Sequence, residues 1–348
     1  MDDFLSLSDA ERLEALNAAA SVSGRLPHLL EKDIWVVWAL HHLFTGPHAE
    51  HLVFKGGTSL SKAYSVIRRF SEDVDLTYDI RTIAPDLIEE AGGPIPASKS
   101  QEKKWTKQIR ARLAEWVASE IVPRLKHELT RQSLPATVRV EHDKVFIDYT
   151  PLRTGTGYVP PAVMLEFGGR STGEPSEPRA IVCDAAAYLP MLTFPTATPQ
   201  VMRAERTFWE KATAIHVFCA QGSFRGGERF ARHWHDIARL DTAGYVDSAI
   251  ADRALGQAVA DHKSIFFSEK TKEGDMIDYH AAVSGKLQLV PDAGALATLA
   301  ADYQRMVDDG LLLDDAEPFG TLMERCRAIQ EKANMRHLPG LPTTAARQ

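Results

Sequence analysis

Asp73 and Asp75 stand two residues apart in DVDLTYD (73–79), and Asp73 follows Gly57 of the run Gly56-Gly57-Thr58-Ser59 by sixteen residues. The polar–apolar alternation of 73–79 predicts a strand, in which Asp73 and Asp75 project to one side while Val74 and Leu76 enter the core. Two carboxylates ~7 Å apart on one edge repel unless a cation bridges them. A pair of magnesium ions, or manganese in their place, suits such an edge. Two-metal sites hold ions ~3.5–4 Å apart and stabilise both the attacking and the leaving oxygen of an in-line phosphoryl transfer. Gly56 and Gly57 have no Cβ, so backbone N–H groups there can approach a phosphate, and a helix starting near Thr58-Ser59 directs its positive end to the same place. One element then cradles a nucleoside triphosphate and the other holds its metals. Either feature alone is a routine strand face or turn; their succession is much rarer. The chain has no G-x-x-x-x-G-K-[ST] and no G-x-G-x-x-G after a strand, which removes the competing phosphate loops.

A third carboxylate is usual in such sites. Glu166, mid-strand in VMLEFGG with Met164 on its own face, is the candidate metal ligand beside Asp73 and Asp75. Asp148 in FIDYT is the rival, and a solvated outward glutamate is the plain alternative for Glu166.

Elements must position these groups. Residues 1–48 read as helices: Ser8 with Glu11 fits a capping box, and IWVVWALHHLF (34–44) is apolar at helical spacing with Asp33 placed to cap it. HLVF (51–54) is a short strand ended by the glycines, and TSLSKAYSVIRRF returns to helical spacing with Leu60, Tyr64 and Ile67 on one side. The proline- and glycine-rich run 84–101 reads as a surface loop. A long amphipathic helix follows from about 103, then a hairpin over 137–150 turning near His142-Asp143, then a strand at 162–169. This gives about five strands interrupted by helices, an α+β mixed-sheet core rather than a βαβ repeat. Residues 178–199 read as extended and everything beyond as helix. The expected division is an N-terminal helical segment (1–48), a core (49–200), a C-terminal helical domain (201–336) and a flexible tail (337–348).

Composition fits these elements. The chain has 348 residues, 44% apolar and 25% charged, and a net charge of −7 that argues against a surface coated for non-specific nucleic-acid binding. Two segments are locally basic, 103–112 and 124–131; a solvated helix face is the simplest reading of both. No apolar run approaches a membrane span and the N-terminus lacks a secretory pattern, so no membrane partner and a cytoplasmic location are expected. Cys183, Cys219 and Cys326 stand far apart, which implies neither a disulfide framework nor a thiolate zinc site. His233 and His235 lie ~200° apart on a helix, which argues against zinc there as well, and His41-His42 fails for a similar reason.

EKDIWVVWAL (31–40), FKGGTSLSKAY (54–64), RRFSEDVDL (68–76), WEKATAIH (209–216) and RHWHDIARL (232–240) together resemble, in order, the nucleotidyltransferase-like AbiEii/AbiGii toxin family, a branch of the DNA-polymerase-β-like nucleotidyltransferase superfamily. The resemblance implies a mixed-sheet nucleotidyltransferase core with appended helices, divalent-metal dependence, transfer of a nucleoside monophosphate from a nucleoside triphosphate, and a cognate antitoxin protein as in a toxin–antitoxin or phage-defence pair. In that family some members modify the acceptor end of transfer RNA, so an RNA acceptor is expected. By position, Gly56, Gly57 and Thr58 match the phosphate turn, Asp73 and Asp75 the metal ligands, Lys211 a lysine on a later helix, and Asp236 an acidic residue on the helix after it. Lys211 would ease charge on the departing pyrophosphate; its alternative is a surface lysine in a first helical turn capped by Thr207 and Glu210. Asp236 would orient Lys211 or contact the acceptor; a helix-surface salt bridge is its alternative. Lys62, Ser71 and Arg69 are further nucleotide-side candidates. Contacts to RNA would come from the 103–131 helix and from Arg203, Arg206, Arg225 and Arg229. A protein-adenylylating enzyme, and a catalytically silent scaffold of the same fold, are the competing readings.

Overall fold

The computed structural model describes residues 2–69, 73–154, 159–224, 229–312 and 316–335. Ser71, Arg225 and the tail 337–348 lie outside them. The chain divides into two compact units, one of residues 1–64, 71–94 and 103–202, the other of 65–70, 95–102 and 203–348.

The first unit holds eleven strands among the described residues: β1 (Asp2–Asp3), β2 (Leu52–Lys55), β3 (Asp73–Tyr78), β4 (Ala136–Glu141), β5 (Lys144–Tyr149), β6 (Ala162–Gly168), β7 (Ser176–Pro178), β8 (Ile181–Val182), β9 (Leu192–Thr193), β10 (Thr196–Ala197) and β11 (Gln200–Met202). Seven form one mixed sheet in the order β4-β5-β6-β3-β2-β11-β7. The five strands expected from alternation are all present. The two beyond that expectation, β7 and β11, are three residues each, too short to show a period, and their pairing is long-range. Within the sheet β3 lies antiparallel to β2 and parallel to β6.

Alternation decides which face is core. Val74, Leu76, Val145, Ile147, Val163 and Leu165 are buried with Ile34, Trp35, Val37 and Trp38 of helix α2 (Pro27–Phe44), in a cluster that also takes in residues 113–129. The opposite face carries Asp73, Asp75, Lys144, Phe146 and Glu166, all partly exposed.

Helix boundaries are where the sequence expectations fail most. Helix α1 (Asp9–Ser23) has the expected capping box, Ser8 with Glu11. Helix α2 starts at Pro27, so Asp33 lies inside it rather than capping it. Helix α3 (Gly56–Lys62) stops early: Ser65 takes φ +53°, and Leu60, Tyr64 and Ile67 do not share a helix face. The expected loop 84–101 is partly helical. After α4 (Ile80–Ile83), α5 (Pro85–Ala91) uses Pro85 in its first turn and Gly92 at φ +72° to end, and α6 starts at Lys99 and runs to Trp116. A π turn over Val117–Ile121 joins α6 to α7 (Val122–Arg131).

Lys62 corrects a second expectation. Its Nζ lies 2.6 Å from Asp33 Oδ1 and 2.6 Å from Asp184 Oδ1, and Asp184 also meets Arg25 at 2.9 Å. Lys62 faces neither phosphate nor solvent; it ties the last turn of α3 to α2 and to the 3-10 turn Asp184–Ala187. Burial pushes the Asp33 carboxyl up and Lys62 draws it back, with burial the larger effect. Removing one partner of a buried pair strands the other charge. Lys62→Ala is therefore expected to cost about 3–5 kcal/mol in urea unfolding, and the Asp33→Leu/Lys62→Met double variant to recover part of that loss. An unchanged urea midpoint for Lys62→Ala would contradict this placement.

The second unit is helical: α8 (Ala204–Gln221), α9 (Arg232–Thr242), α10 (Tyr245–Ala251), α11 (Arg253–Phe266), α12 (Tyr279–Val283), α13 (Ala293–Asp308) and α14 (Phe319–Met335). Its core uses tryptophans whose N–H groups find backbone carbonyls, Trp209 donating to Ala249 O at 2.9 Å and Trp234 to Leu289 O at 2.7 Å.

Candidate active site

In the first unit the glycine turn and the carboxylates meet. Lys55 is opposite Asp75 in the β2–β3 ladder, so the chain leaving β2 turns directly beside Asp75. Gly56 sits at φ +78°, and a Cβ built on it would overlap the Asp75 carboxylate at Oδ2. Only glycine tolerates both that backbone and that approach. Thr58 and Ser59 are buried and their hydroxyls stay within the fold: Thr58 Oγ1 donates to the Asp73 carbonyl and Ser59 Oγ to the Gly56 carbonyl at 2.9 Å. Their side chains brace the turn against β3; only backbone there remains to face a ligand.

Register orders the remaining groups. Glu166 is directly beside Asp75, and Met164 beside Asp73. Asp148 is opposite Ala162, one strand further out and away from that row. Of the two rival carboxylates, Glu166 is thus the neighbour of the Asp73/Asp75 pair. It also pairs with Lys144 at 3.0 Å, a contact that, with burial opposing it, holds the Lys144 ammonium above its ordinary pKa. Among the described residues no three His, Cys, Asp or Glu side chains converge as a preformed metal cage. The donor set is two aligned carboxylates with a third alongside, hard oxygens that suit magnesium provided substrate phosphates and water complete its shell.

Lys55 and Lys144 are two basic residues at this site that the sequence motifs do not single out. Lys55 has no ion-pair partner among the described residues, and its register places it on the face of Asp75. Its signal is its position immediately before the glycines; that of Lys144 is the alternation of KVFIDY, which places Lys144, Phe146 and Asp148 together without saying what they adjoin.

In the second unit Asp236 is fully buried and holds two cations. Arg69 binds it through two parallel hydrogen bonds, Nε to Oδ1 at 2.7 Å and a terminal nitrogen to Oδ2 at 2.8 Å, while Lys211 Nζ lies 2.9 Å from Oδ2. Asp236 orients Lys211, and Arg69 joins the pair. Neither alternative drawn from a surface setting holds: α8 begins at Ala204, which puts Lys211 in its third turn, buried, with Thr207 inside the helix rather than capping it. Burial raises the Asp236 carboxyl, but Arg69 and Lys211 outweigh it and hold it well below the usual range. Burial lowers the Lys211 ammonium, Asp236 opposing and Arg69 assisting. Among the expected RNA-side arginines, Arg206 is buried and paired with Glu210 at 3.3 Å. Arg203 meets Glu205 at 2.9 Å, and the Arg229 N–H donates to Asp302. On α6, Lys103, Lys104, Lys107 and Arg110 are exposed.

A family model described as "Nucleotidyl transferase AbiEii toxin, Type IV TA system" matches residues 38–325. The chain belongs to the AbiEii nucleotidyltransferase toxin family. No curated protein sequence matches it. Among solved structures it is similar to MenT4, a nucleotidyltransferase toxin of Mycobacterium tuberculosis H37Rv, at 17% identity over 95% of this chain and 99% of that one, with a TM-score of 0.40. It is also similar to JHP933 of Helicobacter pylori, at 14% identity over 95% of each chain and a TM-score of 0.37. AbiEii membership brings a nucleotide substrate and an antitoxin partner, and among the described residues no helix is long and apolar enough to cross a membrane.

Gly56→Ala is expected to cost about 1–3 kcal/mol in thermal unfolding and to displace the Asp75 carboxylate. Gly92→Ala, equally strained at φ +72° but with nothing within 4 Å, serves as the control and should lose stability without losing nucleotide binding. Equal effects of the two would show that the approach to Asp75 is unimportant. Asp236→Asn leaves Arg69 and Lys211 buried and should cost about 3–5 kcal/mol near pH 7. Because the folded Asp236 is depressed, its stabilisation is present above the unfolded value of ~3.9 and is lost as pH falls below it. The variant's unfolding free energy should therefore fall less steeply than the wild type's between about pH 5 and pH 3.

Proposed function

We propose that this chain is a metal-dependent nucleotidyltransferase that moves a nucleoside monophosphate from a nucleoside triphosphate to an RNA end, acting as the toxin of a toxin–antitoxin pair. The observation that carries the reading is the close approach of Gly56 to Asp75: a backbone turn suited to phosphates lies against a carboxylate suited to their metals, on one open sheet face. Asp73 and Asp75 would hold the ions, magnesium or manganese, with Glu166 alongside. When bound, such ions neutralise the triphosphate and lower the pKa of the acceptor hydroxyl.

The residues of this chain do the rest. Backbone N–H groups at Gly56 and Gly57 bind the phosphates, and Lys55 adds a positive charge at the same edge. The acceptor oxygen bonds to the α-phosphorus, the bond from that phosphorus to the bridging oxygen breaks, and pyrophosphate leaves with the electron pair. Glu166, partly exposed beside Asp75, takes the hydroxyl proton and passes it to water. Lys211, held by Asp236 within the second unit, is by its match to the AbiEii family the group proposed to ease charge on pyrophosphate.

Purified full-length protein is incubated with each labelled nucleoside triphosphate, magnesium, and either total RNA or a cell lysate. Label is expected in RNA, abolished by chelation of the divalent ion and reduced about a hundredfold or more by Asp73→Asn or Asp75→Asn. Label confined to polypeptide would replace the RNA acceptor by a protein hydroxyl. Cellular effects untouched by both substitutions would favour a silent scaffold.

A further inference from the structure

The open face of the sheet has a direction. The glycine turn approaches Asp75 from the β2 side, while β6, β5 and then β4 extend from the other side of β3. In-line displacement places the attacking and leaving oxygens on opposite sides of phosphorus. With pyrophosphate at Gly56 and Gly57, the attacking hydroxyl comes from over β6 and β5.

What lies there is a platform of defined chemistry. Phe146 on β5 is opposite Met164, which is beside Asp73, so the ring stands two strands from the carboxylates, ~10 Å at the usual strand spacing. It is a partly exposed aromatic on a face that also carries Met164 and several charged groups. The Arg139 guanidinium lies over its ring, 4.0 Å from the centroid, and also pairs with Asp148 at 3.1 Å and with Glu141. Lys144, in the next row, sits against Glu166. The Arg139 and Lys144 pairs are exposed enough to be worth little as stabilisers, so a phosphate can exchange into either at small cost. A ring with a guanidinium plane over it and an ammonium in the next row, on the side from which the hydroxyl must come, fits a nucleobase stacked on these planes with its phosphates beside the cations.

We infer that Phe146, with Arg139 and Lys144, forms the acceptor subsite, stacking the terminal base of a single-stranded nucleic-acid end so that its hydroxyl is presented to the α-phosphorus beside Asp75. This rests on the nucleotidyl-transfer reading above and specifies the acceptor's approach and its chemistry. Phe146 is a positioning residue: it holds the acceptor and takes no part in bond making.

The test uses the full chain, a labelled nucleoside triphosphate and two short single-stranded oligoribonucleotides, one ending in an ordinary nucleotide and one in an abasic residue. For the ordinary oligonucleotide, Phe146→Ala should raise the acceptor KM about tenfold, the equivalent of ~1.4 kcal/mol, and leave the KM of the triphosphate within about twofold. Phe146→Trp should restore the acceptor KM. The abasic end should cost the wild type a similar factor and cost Phe146→Ala almost nothing more, because both changes remove the same stack. Triphosphate binding by Phe146→Ala confirms that the variant is folded. A rise in the triphosphate KM with an unchanged acceptor KM would assign the ring to the donor base and overturn the inference. So would equal losses from the abasic end in wild type and variant. Wild-type protein that labels neither oligonucleotide nor, in the assay above, any RNA removes the RNA-acceptor reading on which the inference rests, whereas labelling by wild type and Phe146→Ala with equal KM removes only the subsite.

Discussion

A missing Cβ governs the site. Asp75 can stand where it does only because Gly56 presents bare backbone to it; any side chain there would occupy the space of the carboxylate oxygen. The positive φ at Gly56 turns the chain sharply out of β2, and the turn is then pinned from both ends. Ser59 bonds back to the Gly56 carbonyl, and Thr58 bonds across to the Asp73 carbonyl. Two hydroxyls of α3 thereby join the glycine turn to the strand that carries both carboxylates. Below them Lys62 anchors the same short helix to Asp33 and Asp184. Thr58, Ser59 and Lys62 all serve to hold the backbone of α3 still, which is what a site built from main-chain N–H groups requires.

The two buried charge clusters differ in composition. Lys62 lies between two carboxylates, so that group carries no excess of positive charge even when Arg25 is counted. Asp236 lies between two cations, Arg69 and Lys211, and all three are buried. Burying charge is costly unless it is paired, and the two parallel Arg69 hydrogen bonds with the Lys211 contact beside them meet that condition for Asp236.

The sheet's polar face is legible in the sequence because its signal is local. Period-two alternation puts Asp73 with Asp75, and Met164 with Glu166, on one side whatever the partners are. The choice between Glu166 and Asp148 is not legible, since it turns on which residue the β3–β6 register sets beside Asp75, and register is fixed by contacts distant in sequence. The lysines mislead for a related reason. A lysine in a helical pattern looks solvated, yet Lys62 and Lys211 are both buried, because acids on remote segments, Asp33 and Asp184 for one and Asp236 for the other, compensate them. Helix ends fail likewise: Asp33 has the residue type of a cap and the position of an ion-pair partner.

Polarity across the β3 strand then follows from chemistry rather than from any single residue. A donor phosphate chain needs close backbone and few side chains, and β2 with its glycine turn offers that. An acceptor must be recognised by what it carries beyond one hydroxyl, and recognition needs side chains of varied character. The strands on the far side of Glu166 supply them: a ring, a guanidinium and an ammonium within two rows. For the proposed transfer, in-line geometry would set these two demands on opposite sides of the carboxylates, and a sheet with a glycine turn at one flank and varied side chains at the other suits it.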